Sequence, residues 1–153
     1  MTPGEVLTKL IGQGATIAFG ESLTGGLLAH AFISVPGASA AVRGSIIAYA
    51  TQAKHTLLGV DQNILDTYGA VDPRVASAMA IGARHQFGAT YGLSTTGVAG
   101  PDPQDGQEVG TVHIGFAHSQ GSDTLPLLLD GNRQEIRDQT VIAAVKFLAR
   151  NLA

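Results

Sequence analysis

Helical periods and short extended runs alternate along this chain, separated by only a few glycines, prolines and small residues, and that alternation limits the fold more than any other feature. Val6, Leu7, Leu10 and Ile11 follow a helical period that Gly12 and Gly14 close, and residues 15–20 then read as a buried strand. A helix is expected over 25–35, ended by Pro36, and a small-residue loop at 37–41 leads to a strand at 44–50. Thr51 is placed as the cap of a short helix through Leu58, and residues 61–68 form another turn or two. Pro73 opens a longer helix that ends near Phe87 and Gly88. Residues 91–96 are a strand, 110–118 and 122–129 a strand pair turning at Gln120-Gly121, and 133–152 a final helix.

Such an order predicts an α/β protein, a three-layer α/β/α sandwich whose mixed, mostly parallel sheet contains one antiparallel strand pair. That pair follows from its turn, which is too short for a crossover. No repeat or low-complexity linker divides residues 1–153, so one domain is expected. With 44% hydrophobic and 14% charged residues the chain is too apolar for disorder. The apolar stretch at 25–42 is broken by His30, Ser34, Pro36 and Ser39, well short of the ~18 residues of a membrane span. The N-terminus has no basic signal-like region, so a cytoplasmic address is expected. A net charge of −3, 5% aromatic residues and no Trp argue against direct nucleic-acid binding. The absence of Cys excludes thiol nucleophiles and thiolate metal sites.

Glycine is the outlying residue, 20 of 153, about twice its usual share. One concentration lies in Glu21-Ser22-Leu23-Thr24-Gly25-Gly26, where a buried strand turns into a helix. Ser22 and Thr24 stand at the helix entrance. Their hydroxyls either cap the helix, or the unpaired N–H groups and dipole there hold an anion or a developing oxyanion, with Ser22 as a nucleophile candidate.

Lys54 is the candidate base, provided its amine is neutral. From Ser22 through Val60 there is no Asp or Glu, while His30, Arg43, Lys54 and His55 all lie in that stretch. Lys54 therefore has no carboxylate beside it in sequence, although a tertiary contact with Glu21 remains open. Tyr49 is placed to relay a proton or orient a substrate. The bland alternative is a solvated lysine and a half-buried tyrosine.

The second glycine concentration is Thr95-Thr96-Gly97-Val98-Ala99-Gly100, followed by a polar loop to Val109. Gly97 and Gly100 allow backbone to approach a ligand, and a loop of this length inside a domain is commonly functional. Asp102, Asp105 and Glu108 lack the pattern of a calcium loop, and no histidines pair at ligand spacing, so no metal and no cofactor are expected. Asn132 with Glu135 reads as a capping box, which puts Arg133 and Arg137 on one face near a helix start. Either Asp130 and Asp138 neutralise that pair, or a phosphate does.

Together these segments resemble the C-terminal domain of the CinA competence/damage-inducible proteins. The similarity rests on Glu21 to Gly26, Tyr49 with Lys54, the Gly69-Ala70-Val71 turn, Thr96 to Pro101, Val109 to Val112 and Gly131-Asn132-Arg133. It implies a three-layer α/β/α fold and a nicotinamide-nucleotide amidase of the pyridine nucleotide cycle. Such enzymes hydrolyse the carboxamide of nicotinamide mononucleotide to nicotinate mononucleotide and ammonia, without a cofactor. It further implies Ser22 as nucleophile, Lys54 as base and Tyr49 as a supporting contact. Thr24, Gly25, Gly26, Thr96, Gly97, Ala99, Gly100, Arg133 and Arg137 would bind the nucleotide. The chain resembles the stand-alone form, without the extra N-terminal domain of larger members. The family commonly has Cys at position 23 and Ser-Asn-Glu at 50–52, where this chain has Leu23 and Ala50-Thr51-Gln52. A non-catalytic, pyridine-nucleotide-binding or regulatory module is the alternative reading. Its expected partner is a small nucleotide, with no nucleic acid and no membrane, and self-association into a homo-oligomer is left open.

Overall fold

A computed structural model describes residues 1–152. In chain order the elements are α1 (Pro3–Gly12), β1 (Ile17–Glu21), α2 (Leu27–Ile33), a 3-10 turn (Ala38–Ala40), β2 (Val42–Ile47), α3 (Thr51–Leu58), α4 (Gln62–Tyr68), α5 (Pro73–Gln86), β3 (Tyr91–Gly97), β4 (Thr111–His118), β5 (Gly121–Leu128) and α6 (Arg133–Asn151). Capping boxes start two of the helices, Thr2 with Glu5 at α1 and Asn132 with Glu135 at α6. Ala50 rather than Thr51 is the N-cap of α3, and it offers no side-chain cap. α2 begins two residues later than its apolar period suggests. Gly25 and Gly26 turn the chain at φ +54° and +100°, a left-handed conformation that no helix continues through.

The five strands form one sheet in the order β2-β1-β3-β4-β5. β2 and β3 flank β1 in parallel, whereas β4 runs antiparallel to β3 and β5 antiparallel to β4. Four of the five strands thus point one way, and the antiparallel pairing expected for the last two strands extends to β3 with β4. The reason lies in the connection at 98–110, which carries no helix to cross the sheet and returns the chain beside β3.

β1 is buried on both faces, so its residues alternate between two cores. Ile17 and Phe19 face one side, where α1, α2 and α6 bring Leu7, Leu10, Leu28, Phe32, Ile136 and Leu148. Ala18 faces the other, where α3, α4 and α5 bring Leu58, Leu65, Val75, Met79 and Ala83. On this second side α5 lies almost on the sheet backbone. A Cβ at Gly92 would stand 2.0 Å from the carbonyl oxygen of Ala80, and one at Gly115 2.2 Å from that of Ala76. Ser94, between them on β3, donates its hydroxyl to the same Ala76 carbonyl. Among the described residues no helix is long and apolar enough to cross a membrane.

Candidate active site

The carboxyl ends of the three parallel strands converge on one crevice. β1 runs into Ser22, β2 into Tyr49 and β3 into Ala99, and because β2 and β3 lie on opposite sides of β1 the crevice sits where the strand order reverses. Ligands in open α/β sheets bind at such switch points. The cavity there has a volume of about 390 Å³, and its lining includes Ser22, Tyr49, Lys54, Thr96, Gly97, Ala99, Gly100 and Arg133.

Lys54 lies in the first turns of α3 and is only 2% exposed. Its Nζ is 2.9 Å from Ser22 Oγ and donates to the carbonyls of Ala48 at 2.8 Å and Tyr49 at 3.2 Å. Burial lowers its pKa from 10.5 to about 8, against the opposing field of Asp105. A neutral amine has two N–H donors and one lone pair. With the donors on the two carbonyls, the lone pair faces the Ser22 hydroxyl, which is the arrangement a base needs to take that proton.

Glu21 is not the partner of Lys54. Its carboxylate is fully buried and takes the Thr24 hydroxyl at 2.7 Å, the Ser45 hydroxyl at 2.7 Å, and the N–H groups of Gly26, Leu28 and Ala29 at 3.1, 2.9 and 3.2 Å. This corrects two expectations. The hydroxyls of Ser22 and Thr24 do not cap α2, whose N-cap is Gly26. Nor are the N–H groups at the start of α2 open to an external anion, because an internal carboxylate already occupies them.

Thr24, Gly25, Gly26 and Arg137 stand outside the cavity lining. Thr24 is fully buried between Glu21 and Thr95, and its Oγ1 lies 2.9 Å from Thr95 Oγ1. Arg137 reaches behind the serine turn, donating to the carbonyls of Leu23 at 2.7 Å and Thr24 at 3.4 Å. Arg133, one turn earlier, points into the cavity rim, where it donates to the Gly100 carbonyl at 2.6 Å and the Tyr49 hydroxyl at 3.0 Å. Neither arginine is ion-paired with Asp130 or Asp138; among the described residues Arg74 pairs with Asp72, and the His118 imidazole lies 3.4 Å from the Asp123 carboxylate. Tyr49 is 62% exposed, so its ring belongs to the rim while its carbonyl serves Lys54.

Thr96 donates to the Ala70 carbonyl at 2.7 Å, and the Ala70 N–H donates to Asp105 at 3.1 Å, which ties the 98–110 loop across the cavity floor. Gly100 precedes Pro101 through a cis peptide bond. The lining also includes Thr51, Val71, Asp102 and Gln104, which the sequence reading did not single out as site residues. No group of three or more His, Asp or Glu side chains with metal-holding geometry occurs among the described residues.

Comparison with known proteins gives the family of the chain. A CinA-like protein of Frankia casuarinae is 52% identical over 150 residues, which is 98% of this chain and 35% of that protein. One from Anaeromyxobacter dehalogenans is 40% identical over 147 residues, covering 95% of this chain and 36% of its own length. The chain thus spans about a third of the length of these curated relatives. Among solved structures, the competence/damage inducible protein CihA from Agrobacterium tumefaciens superimposes with a TM-score of 0.88 at 33% identity, covering 97% of this chain and 94% of that one. A CinA superfamily protein from Klebsiella pneumoniae gives 0.95 at 26% identity, covering 98% and 94%. The model of the CinA C-terminal domain matches residues 2–152, and the chain belongs to that family.

Proposed function

We propose that this protein is a metal-independent amidohydrolase that cleaves the carboxamide of nicotinamide mononucleotide by a Ser-Lys mechanism. The observation that carries the reading is the 2.9 Å approach of Lys54 Nζ to Ser22 Oγ, with both carbonyl acceptors in place around a buried amine. The choice of substrate rests on the family resemblance at Glu21 to Gly26, Tyr49, Lys54 and Thr96 to Pro101, and the Arg133 guanidinium at the rim is suited to a phosphate.

In this reading Ser22 Oγ attacks the carboxamide carbon as its proton passes to Lys54 Nζ. Lys54 returns the proton to the leaving nitrogen, the C–N bond breaks, and ammonia departs from an acyl-serine. Lys54 then takes a proton from the water that attacks the ester, and returns it to Ser22 Oγ as the ester C–O bond breaks, which releases the carboxylate and restores the serine. Tyr49 and Arg133 hold the ribose phosphate end at the rim, beside Gly97, Ala99 and Gly100 of the lining; the missing side chains of Gly97 and Gly100 make room for Thr111, Val112 and Val109 rather than for a ligand.

Chromatography of nicotinate mononucleotide together with ammonia assay tests the reading. Turnover is expected from the unaltered protein and is expected to vanish in Ser22→Ala and Lys54→Met proteins of unchanged circular dichroism. Unaltered turnover in either variant overturns the dyad, and calorimetric binding of the nucleotide without turnover supports a binding module instead.

A further inference from the structure

The backbone N–H groups of the serine turn are almost all spoken for. Ser22 N–H donates to the Thr95 carbonyl at 3.1 Å and to Thr95 Oγ1 at 3.3 Å. Gly25 N–H goes to the Ser22 carbonyl and Leu27 N–H to that of Thr24. Gly26, Leu28 and Ala29 N–H go to Glu21. Among the described residues, those of Leu23 and Thr24 alone in residues 22–29 face no protein acceptor, and Leu23 lines the cavity beside Ser22.

The hydroxyls in this turn have fixed directions. Thr24 has one proton, and it is given to Glu21 at 2.7 Å. Thr95 must therefore donate to Thr24 across the 2.9 Å contact, which leaves its lone pairs to accept from Ser22 N–H. A single chain of donors runs from Ser22 N–H through Thr95 and Thr24 to the Glu21 carboxylate. All three side chains are fully buried, and no Lys, Arg or His pairs with Glu21 among the described residues. A buried, fully satisfied polar chain of this kind is rigid, and its members polarise one another.

We propose that Glu21, Thr24 and Thr95 are positioning residues for the nucleophile: they fix the backbone of Ser22 and consume the neighbouring N–H groups, so that of the two left without an acceptor the Leu23 N–H, which borders the cavity, holds the oxyanion. This rests on the reading of Ser22 as an acyl-transfer nucleophile. It also gives Glu21 a reason to be internal. A carboxylate seated at the start of α2 keeps a substrate anion from binding there and directs the developing negative charge to the donor beside Ser22.

A fluorophosphonate tests the network without assuming the natural substrate. Its phosphorus forms a bond to Ser22 Oγ, fluoride leaves, and the hydroxyl proton passes to Lys54; intact mass follows the rate. Thr95→Val keeps the shape and removes the hydroxyl. It is expected to slow phosphonylation and kcat on the nucleotide by about tenfold, the worth of one good hydrogen bond, with KM unchanged. Thr95→Ser is expected to recover most of both rates. Labelling at the wild-type rate in Thr95→Val, no recovery in Thr95→Ser, or a loss confined to KM would each overturn the proposal. In the unaltered protein the Leu23 amide proton is expected to move downfield on phosphonylation, and movement at Ser22 with Leu23 unmoved also overturns it. Slower labelling in Thr95→Val from a protein that does not turn over nicotinamide mononucleotide supports the network and rejects the substrate. A folded wild type that does not label at Ser22 rejects the nucleophile itself.

Discussion

Lys54 Nζ approaches Ser22 Oγ to 2.9 Å while the carbonyls of Ala48 and Tyr49 take its other two hydrogen-bonding directions. The lysine is therefore held as a base only in the fraction of molecules that have lost its proton. With a pKa lowered to about 8 by burial, about a tenth of the molecules are in that form near neutrality. kcat/KM is expected to rise about tenfold per pH unit below about 8 and to level off above it. A profile that stays flat from about pH 6 to about pH 9 would exclude the free amine of Lys54 as the base.

The same shift makes a stability prediction. Below about pH 8 Lys54 is charged in both the folded and unfolded chains, and the folded state bears the full cost of burying that charge. Between about 8 and 10.5 the unfolded chain keeps a proton that the folded one has lost, so this lysine's contribution makes the protein more stable as pH rises. Lys54→Met removes the titration. The stability of the wild type relative to Lys54→Met is expected to improve by about 3 kcal/mol between neutral pH and the upper end of that window, read from urea midpoints. A difference independent of pH would show that burial does not shift this amine.

How much of this was legible in the sequence depended on whether the cause was local. The helix start written as Asn132 with Glu135, and strands marked by apolar runs, are set by near neighbours and were readable, whereas the equally local box of Thr2 with Glu5 emerged only with the structure. The pairing of Ser22 with Lys54 was reachable because the stretch from 22 to 60 lacks carboxylates, which left the lysine no local partner. The role of Glu21 was not. Its donors come from Thr24, from α2 and from Ser45, and only the folded turn brings them to one carboxylate. Arg133 and Arg137 look equivalent at a spacing of four residues, yet they reach different carbonyls because the serine turn and the 97–100 loop lie at different heights along α6.

That difference separates the two arginines experimentally. Arg133→Met removes a rim guanidinium that faces the cavity, and it is expected to raise KM for the nucleotide about tenfold with little change in thermal stability. Arg137→Met removes the support behind Leu23 and Thr24. It is expected to lower kcat and to cost about 1 kcal/mol of stability while leaving KM nearly unchanged. Reversed effects in steady-state kinetics would exchange the two roles.

Asp105 opposes the effect of burial on Lys54 and also accepts the Ala70 N–H at 3.1 Å. Asp105→Asn keeps an acceptor for that N–H and removes the charge. The pH midpoint of activity is expected to fall by a few tenths of a unit, and wild type and variant are expected to converge at high salt, where the field of the carboxylate is screened. A midpoint that does not move at low salt would place Asp105 in loop anchoring alone.

The glycine excess has a second origin besides the cavity turns, and it predicts a loss of stability far from the chemistry. Gly92 and Gly115 lie on neighbouring strands under α5, where an added Cβ would stand 2.0 and 2.2 Å from the Ala80 and Ala76 carbonyl oxygens. Gly82, on α5 itself, meets the Leu58 carbonyl oxygen at 1.9 Å in the same sense. These contacts are with backbone, so no side chain can swing aside to relieve them; α5 would have to lift from the sheet. Lifting it opens the core around Val75, Met79 and Ala83, which are fully buried. Gly92→Ala and Gly115→Ala are each expected to cost about 3 kcal/mol in denaturant unfolding, at the upper end for one inserted methyl group. A loss below about 1 kcal/mol would mean that α5 can be displaced cheaply and that its close seat on the sheet is not what these glycines preserve.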